Sequence, residues 1–333
     1  MVRFLLQRFG TMVFMLVLLS FVTFIVIELP PGDYAVRYAF KLEAGGVRVT
    51  EEDMKAIRHR FGLDRPWPVR YWKWITNIVL HGDFGVAYMY QKPVLEVIGE
   101  RFVLTLVLAL ATLLLTYGLA IPLGLYSAVR QYSVGDYVAT VIGYIGLATP
   151  SFMLALILMY ISVRVFGTGA GGLFSPEYAG APWTWARVLD MLKHLWVPAI
   201  VLGMAGTAFQ IRTLRATMLD EMNKLYVTAA RAKGLSERRL LLRYPARVAL
   251  NPIVSTIGWE LTRVVSGAPI VSFVLGLPDT GPLFLDSLLD QDMFLGGALL
   301  LMLGTATIVG TFISDILLAL MDPRIRRGES GVY

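Results

Sequence analysis

Cysteine is missing from all 333 positions, which removes disulfide staples, thiolate metal sites and cysteine nucleophiles from consideration. Charge is also scarce, with Asp, Glu, Lys and Arg making up 16% of the chain against 56% hydrophobic residues. That is too little to coat a water-soluble fold of this size. Histidine occurs only at His59, His81 and His194, too dispersed to suggest a metal cluster. Neither a G-x-S-x-G elbow nor a G-x-x-x-x-G-K-[ST] phosphate loop occurs, so no enzymatic activity and no ATP binding by the chain itself are expected. An intramembrane enzyme is left without a catalytic constellation. A net charge of +6 would suit nucleic acid, but the basic residues flank apolar runs unevenly, which is the pattern of membrane topology rather than of a phosphate-binding face.

What the chain does have is long apolar runs. A helix needs about 20 mainly apolar residues to cross hydrocarbon, and six stretches qualify: roughly Phe9 to Leu29, Phe102 to Val129, Tyr137 to Phe166, Trp196 to Met218, Ala249 to Leu275 and Leu295 to Leu320. The expected fold is therefore all-α and integral to the membrane, with six transmembrane helices. The first run is too long for a signal-peptide core and lacks a small-residue cleavage site, so it reads as a retained span. Breaks such as Ile121-Pro122 and Thr149-Pro150-Ser151 are tolerable where neighbouring helices satisfy the freed carbonyls.

The positive-inside rule sets orientation. Arg3, Arg8, Arg130, the cluster from Arg212 to Arg247 and the tail Arg324, Arg326 and Arg327 fall on one side when both termini are cytoplasmic. The loop before the last span, with Asp279, Asp286, Asp290 and Asp292, then lies outside. This divides the chain into the N-terminus and first helix (1–29), an external subdomain (30–101), a transmembrane core (102–320) with a cytoplasmic loop at 220–247, and a cytoplasmic tail (321–333). In the subdomain, Thr50-Glu51-Glu52-Asp53 predicts a helix start and Gly62 its stop. Pro66-Trp67-Pro68 with Tyr71, Trp72 and Trp74 predicts an aromatic segment at the interface; anchoring at headgroup level is favoured there over stacking on cargo. The insert from Gly167 to Lys193 reads as an ordered external loop over the mouth.

The most informative stretch runs from Tyr226 to Pro245. Good helix formers with small alanines lead to Gly234, which suits a left-handed turn, and Ser236-Glu237 suits a second start: helix, sharp turn, helix. The alanines permit close approach to a partner, Leu235, Leu240 and Leu241 offer an apolar anchor, and the arginines suit acidic groups at a rim. From texture alone, a basic inner loop that merely fixes topology explains it equally well. The run Tyr-Val-x-x-Ala-Arg-Ala-Lys-Gly-Leu, here Tyr226 to Leu235, resembles the cytoplasmic EAA loop of permease subunits of bacterial ABC importers, most closely the B-type permease of the oligopeptide/dipeptide/nickel family. The resemblance extends through Phe4-Leu5-Leu6-Gln7-Arg8, Gly82-Asp83-Phe84-Gly85 with Pro93-Val94-Leu95, Glu100-Arg101, Ile121-Pro122-Leu123-Gly124, Pro150-Ser151-Phe152, His194-Leu195 to Pro198-Ala199, and Met321-Asp322-Pro323-Arg324.

The resemblance implies an importer working by alternating access, in a complex with a second, different permease subunit, two ATP-binding cassette ATPases and an external solute-binding protein. ATP and Mg would sit on the ATPases, with no cofactor or metal on this chain. It implies a bacterial or archaeal inner-membrane location, and a coupling helix carried by Tyr226, Thr228, Ala229, Ala230, Arg231, Lys233, Gly234, Leu235 and Arg239. One departure is Thr228, which stands where the family has an acidic residue and puts a carboxylate role there in doubt. Leu277-Pro278-Asp279-Thr280-Gly281-Pro282 alters the family's glycine-rich turn. Together with the insert Gly171 to Tyr178, it resembles the branch associated with oligosaccharides, so oligopeptide and oligosaccharide both stand as cargo, with a metal chelate also open.

Charges inside spans are costly and are more often functional than surface charges. Glu260 and Arg263, three apart, suit a pair on one helical face; lining the translocation path and fixing helix packing are equally good uses. Arg164, near a span end, suits snorkelling, and Asp315 suits relief by water or a neighbouring helix. The alternative function is a stand-alone secondary transporter or channel, which would need no ATPase partner.

Overall fold

A computed structural model describes residues 2–29, 34–46, 48–61, 63–87, 89–166, 171–290 and 292–321. The tail arginines 324, 326 and 327, most of the expected 321–333 tail, the Met321 to Arg324 match beyond Met321, and the expected stop at Gly62 lie outside the described residues. The chain forms two compact units. One takes in Glu100–Pro282 with the chain on either side of it at Met1–Met12 and from Ala306 onward; the other takes in Val13–Gly99 and Leu283–Thr305.

Among the described residues, four helices are long and apolar enough to cross a membrane. They belong to α1 (Val2–Glu28), α5 (Val94–Val129), α9 (Trp196–Met222) and α15 (Met293–Met321). The expected run over Tyr137–Phe166 is not straight: α6 (Val134–Ala148) and α7 (Ser151–Ile161) meet at 112°. Pro150 causes the bend, because its ring removes a donor and pushes Thr149 into extended geometry at ψ 123°. The expected fifth span also divides, into α12 (Pro245–Ser255) and α13 (Ile257–Leu275), at Thr256 with ψ −4°.

The unit containing Val13–Gly99 holds most of the predicted external subdomain, packed with α1 and the start of α15. Its helices are α2 (Tyr34–Ala44), α3 (Glu51–Phe61) and α4 (Trp67–Thr76). α3 starts where the acidic cluster predicts, with Thr50 Oγ1 accepting from the Asp53 amide at 3.3 Å and Asp53 Oδ2 accepting from the Thr50 amide at 2.9 Å, the reciprocal form of a capping box. α4 lays one aromatic face on α1: Tyr71 against Phe21 and Phe24, Trp74 against Phe24, with Tyr71 Oη 2.9 Å from Ser20 Oγ and Arg70 2.8 Å from Glu28. Trp67 and Trp72 stay exposed. A two-residue pairing of β1 (Val86–Ala87) with β2 (Lys92–Pro93) leads into α5, and Asp292 caps α15 while accepting from the Met89 amide at 3.1 Å.

In the other unit, the expected loop over 167–193 contains a helix, α8 (Trp185–His194). Thr184 accepts from the Arg187 amide as its N-cap. Arg187 is buried between Phe174 and Trp183 and pairs with Glu100 at 2.6 Å, so the insert closes around a guanidinium. Asp190 accepts from the Ser175 amide and hydroxyl, each at 2.7 Å; burial pushes its carboxyl up, and these bonds outweigh that and hold it below the usual range. After α13, Asp279 is buried and accepts from Ser272 Oγ at 2.6 Å and the Gly281 amide at 3.0 Å, so the altered turn is internally satisfied before α14 (Thr280–Leu289). Asp315 on α15 pairs with Arg8 of the neighbouring α1 at 3.3 Å.

α13 and α15 approach closely at Gly258, where an added Cβ would lie 2.7 Å from the Thr311 Cα. Backbone cannot move aside as a side-chain tip can, so Gly258→Val is expected to cost about 1–3 kcal/mol through overpacking. The check is a lower melting temperature of the detergent-solubilised protein, with Gly10→Val, where nothing lies within 4 Å, as the unaffected control.

Candidate coupling site

The Tyr226 to Pro245 stretch folds as the sequence suggests. α10 (Leu225–Ala232) and α11 (Glu237–Arg243) meet at a turn in which Gly234 has φ +78°. A side chain there would be strained although no atom lies within 4 Å of an added Cβ. The two helices form a small core of their own: Val227, Ala230 and Leu240 are buried, with Leu235, Leu241 and Tyr244 packed around them. Arg231 clamps the turn from outside, with Nε donating to Glu237 Oε1 at 2.6 Å and Nη2 to Oε2 at 3.3 Å, and this bond holds the Glu237 carboxyl below its usual range. The Tyr226 hydroxyl donates to the Glu221 carboxylate; burial and that carboxylate push its ionisation up.

The expected division of labour changes in two places. Leu235, Leu240 and Leu241 face inward and glue α10 to α11, so they are not an exposed anchor. Ala230 is also inward, because it sits three positions after Val227 on the same helical face. Tyr226, Thr228, Ala229, Arg231, Lys233, Gly234 and Arg239 are exposed. The outward apolar side chains are Leu225, 88% exposed, and Leu242, 56% exposed. Lys224, Lys233, Arg238, Arg239 and Arg243 are exposed as well, so the exposed side chains of this segment are largely basic.

This element stands on a packed stem. Leu214 and Met218 of α9, Ala246, Ala249 and Ile253 of α12, and Ala128 of α5 form one buried cluster. Thr217 Oγ1 also donates to the Ala249 carbonyl at 3.2 Å. The helices entering and leaving α10–α11 are thus joined directly next to it.

Further along α12, the break at Thr256 coincides with a polar cluster. Gln210 Nε2 donates to Thr256 Oγ1 at 2.8 Å, Tyr117 Oη lies 3.3 Å from the same oxygen, and Thr256 donates to the Ile253 carbonyl at 2.7 Å. One turn on, Arg263 Nη2 and Nε donate to Glu260 Oε2 at 2.6 and 2.9 Å. The Glu260 side chain is 4% exposed and that of Arg263 34%. Gly206 of α9 makes room, since a Cβ there would lie 2.2 Å from Arg263 Nη2. Sequence spacing pointed to the Glu260–Arg263 pair. Gln210, Tyr117 and Gly206 were missed; a glutamine inside an apolar run was the one available signal.

Residues 120–327 match the family described as binding-protein-dependent transport system inner membrane component, and residues 1–109 match its N-terminal companion. The chain belongs to this permease family. It is 34% identical over 311 residues to the oligopeptide transport system permease protein AppB of Bacillus subtilis (strain 168), covering 92% of this chain and 94% of that one. It is 32% identical over 328 residues to a putative peptide permease protein of Brucella ovis, covering 98% and 99%. It is 31% identical over 332 residues to the oligopeptide transport system permease protein OppB of Mycobacterium bovis, again covering 98% and 99%. The match at 120–327 contains α10, α11 and the Glu260–Arg263 pair, so both candidate sites lie in the family's characteristic region of this permease.

The inward core of α10–α11 can be tested separately from any partner. Leu240→Ala removes a fully buried side chain and is expected to cost about 2–5 kcal/mol locally. Hydrogen exchange should accelerate over residues 225–243 while the middle of α9 stays protected.

Proposed function

We propose that this permease is one of two different transmembrane subunits of an ATP-driven importer, that it moves oligopeptides delivered by an external binding protein, and that α10–α11 is the element gripped by a separate ATPase. The observation that carries this reading is the split personality of α10–α11. Its inner face is consumed by its own core, while its outer face is exposed, basic and apolar at Leu225 and Leu242. Such a face suits a groove with an apolar floor and acidic rim. Thr228 is exposed but uncharged, so docking here proceeds without a carboxylate at that position.

The stem makes the mechanism concrete. A push on α10–α11 reaches α9 and α12 together, because they share one buried cluster. The helix is interrupted at Thr256 within the polar cluster, so α13 pivots there and movement of the stem becomes reorientation of Glu260 and Arg263, which line the path. That is a hinge of the kind used in alternating access. With α6–α7 counted as one bent crossing and α12–α13 as one interrupted crossing, the chain crosses six times, and the basic distribution puts both termini and α10–α11 in the cytoplasm. The ATPases bring ATP and Mg. Peptide is favoured as cargo by the names of the relatives, with oligosaccharide as the competing outcome.

Gly234→Val places a β-branched residue in a left-handed turn, expected to cost about 1–2 kcal/mol or more. Membrane insertion should persist, while reconstituted complex loses peptide uptake and continues to hydrolyse ATP. Full coupled uptake in this variant, or gradient-driven flux by the chain alone, would overturn the reading. Calorimetry of the neighbouring binding protein against peptides and oligosaccharides decides the cargo.

A further inference from the structure

Another ion pair, between α6 and α9, lies outside both candidate sites. Arg215 of α9 grips Asp136 of α6 with two prongs, Nε to Oδ1 at 3.1 Å and Nη2 to Oδ2 at 2.9 Å. The Asp136 side chain is 5% exposed and that of Arg215 30%. The same carboxylate accepts from the Tyr132 amide at 3.0 Å, in the turn where Tyr132 has φ +59°. One side chain thereby joins the α5–α6 turn, the first turn of α6 and the lower part of α9.

Position along the chain gives this pair its meaning. Arg215 stands seven residues before the end of α9 at Met222, about 10 Å along the axis, and α10 begins at Leu225. α6 packs along α9 and runs to the 112° bend into α7. Stability alone does not call for buried charge at such a contact, because apolar replacements of buried pairs are often neutral or stabilising. A two-pronged guanidinium–carboxylate bond differs from apolar packing in one respect: it fixes register and direction, so the joined helices cannot slide past one another.

We infer that Asp136 and Arg215 are a positioning pair that makes the bent α6–α7 pair follow the coupling element, an inference that rests on the importer reading. When α10–α11 is displaced, α9 carries α6 with it, and the bent crossing moves as part of the same lever. Without the pair, α9 slips against α6 and ATP is spent with less solute moved.

The test uses the complete complex in proteoliposomes, reading a radiolabelled peptide retained by the binding protein against ATP hydrolysed. Arg215→Gln leaves the Asp136 turn bond in place, and Asp136→Asn keeps an acceptor for the Tyr132 amide while removing the charge. Each is expected to lower peptide taken up per ATP at least about fivefold, with the double variant no worse than the poorer single, because both delete one interaction. Arg215→Lys keeps charge without the fork and should fall between. Unchanged ratios in the singles, or losses that add in the double, overturn the inference. Should the singles fail to assemble, Arg215→Lys decides: an assembled complex with the wild-type ratio overturns it, and a reduced ratio supports it. Wild-type complex that takes up peptide independently of ATP overturns the importer reading and this inference together, whereas normal wild-type coupling beside unaffected variants overturns this inference alone.

Discussion

Hydrocarbon offers no hydrogen bonds, so each charged group or interrupted helix at membrane depth must find its partners within the protein. That one constraint explains where the structure is irregular. The break at Thr256 is tolerated because Gln210 and Tyr117 converge on its hydroxyl. The Glu260 carboxylate is tolerated because Arg263 lies one turn on and Gly206 leaves space for both. Asp315 has Arg8, and Asp136 has Arg215. Removing Arg263 or Arg215 would strand the buried carboxylate of Glu260 or Asp136, which is costlier than removing both partners.

The same economy shapes α10–α11. Two short helices of eight and seven residues are too brief to be stable alone, so they spend Val227, Ala230, Leu235 and Leu240 on holding each other. What remains for a partner is the outer face. The attachment of α10–α11 to α9 and α12 runs through a close-packed cluster, and in the proposed docking such a preformed, tightly packed element would lose little entropy and transmit displacement rather than absorb it. In the proposed mechanism the stem, the polar break at Thr256 and the fixed register between α6 and α9 act as parts of one lever.

Much of the site was legible in linear order. The αL glycine at Gly234, the helix starts at Glu51 and Glu237, and the i,i+3 spacing of Glu260 and Arg263 all depend on residues within a turn or two of one another, where local sterics and capping dominate. Ala230 and Leu240 were misassigned as outward-facing because period alone says which residues share a face, not which face is covered. α8 was missed because its inward charge, Arg187, disguises an amphipathic helix as a polar loop; only the aromatic pair and Glu100 around it reveal burial.

By itself the sequence determined that this is a membrane-spanning helical permease with a helix–turn–helix from Tyr226 to Pro245, since hydrophobic length, basic flanks and a turn glycine are properties of the chain's local chemistry. Tertiary structure alone decided that α6 meets α7 at a steep angle, that Gln210 and Tyr117 serve the break at Thr256, and that Asp136 finds Arg215 seventy-nine positions away. Such pairings depend on how helices lie side by side, and no spacing along a strand of residues encodes which distant donor will reach a buried carboxylate.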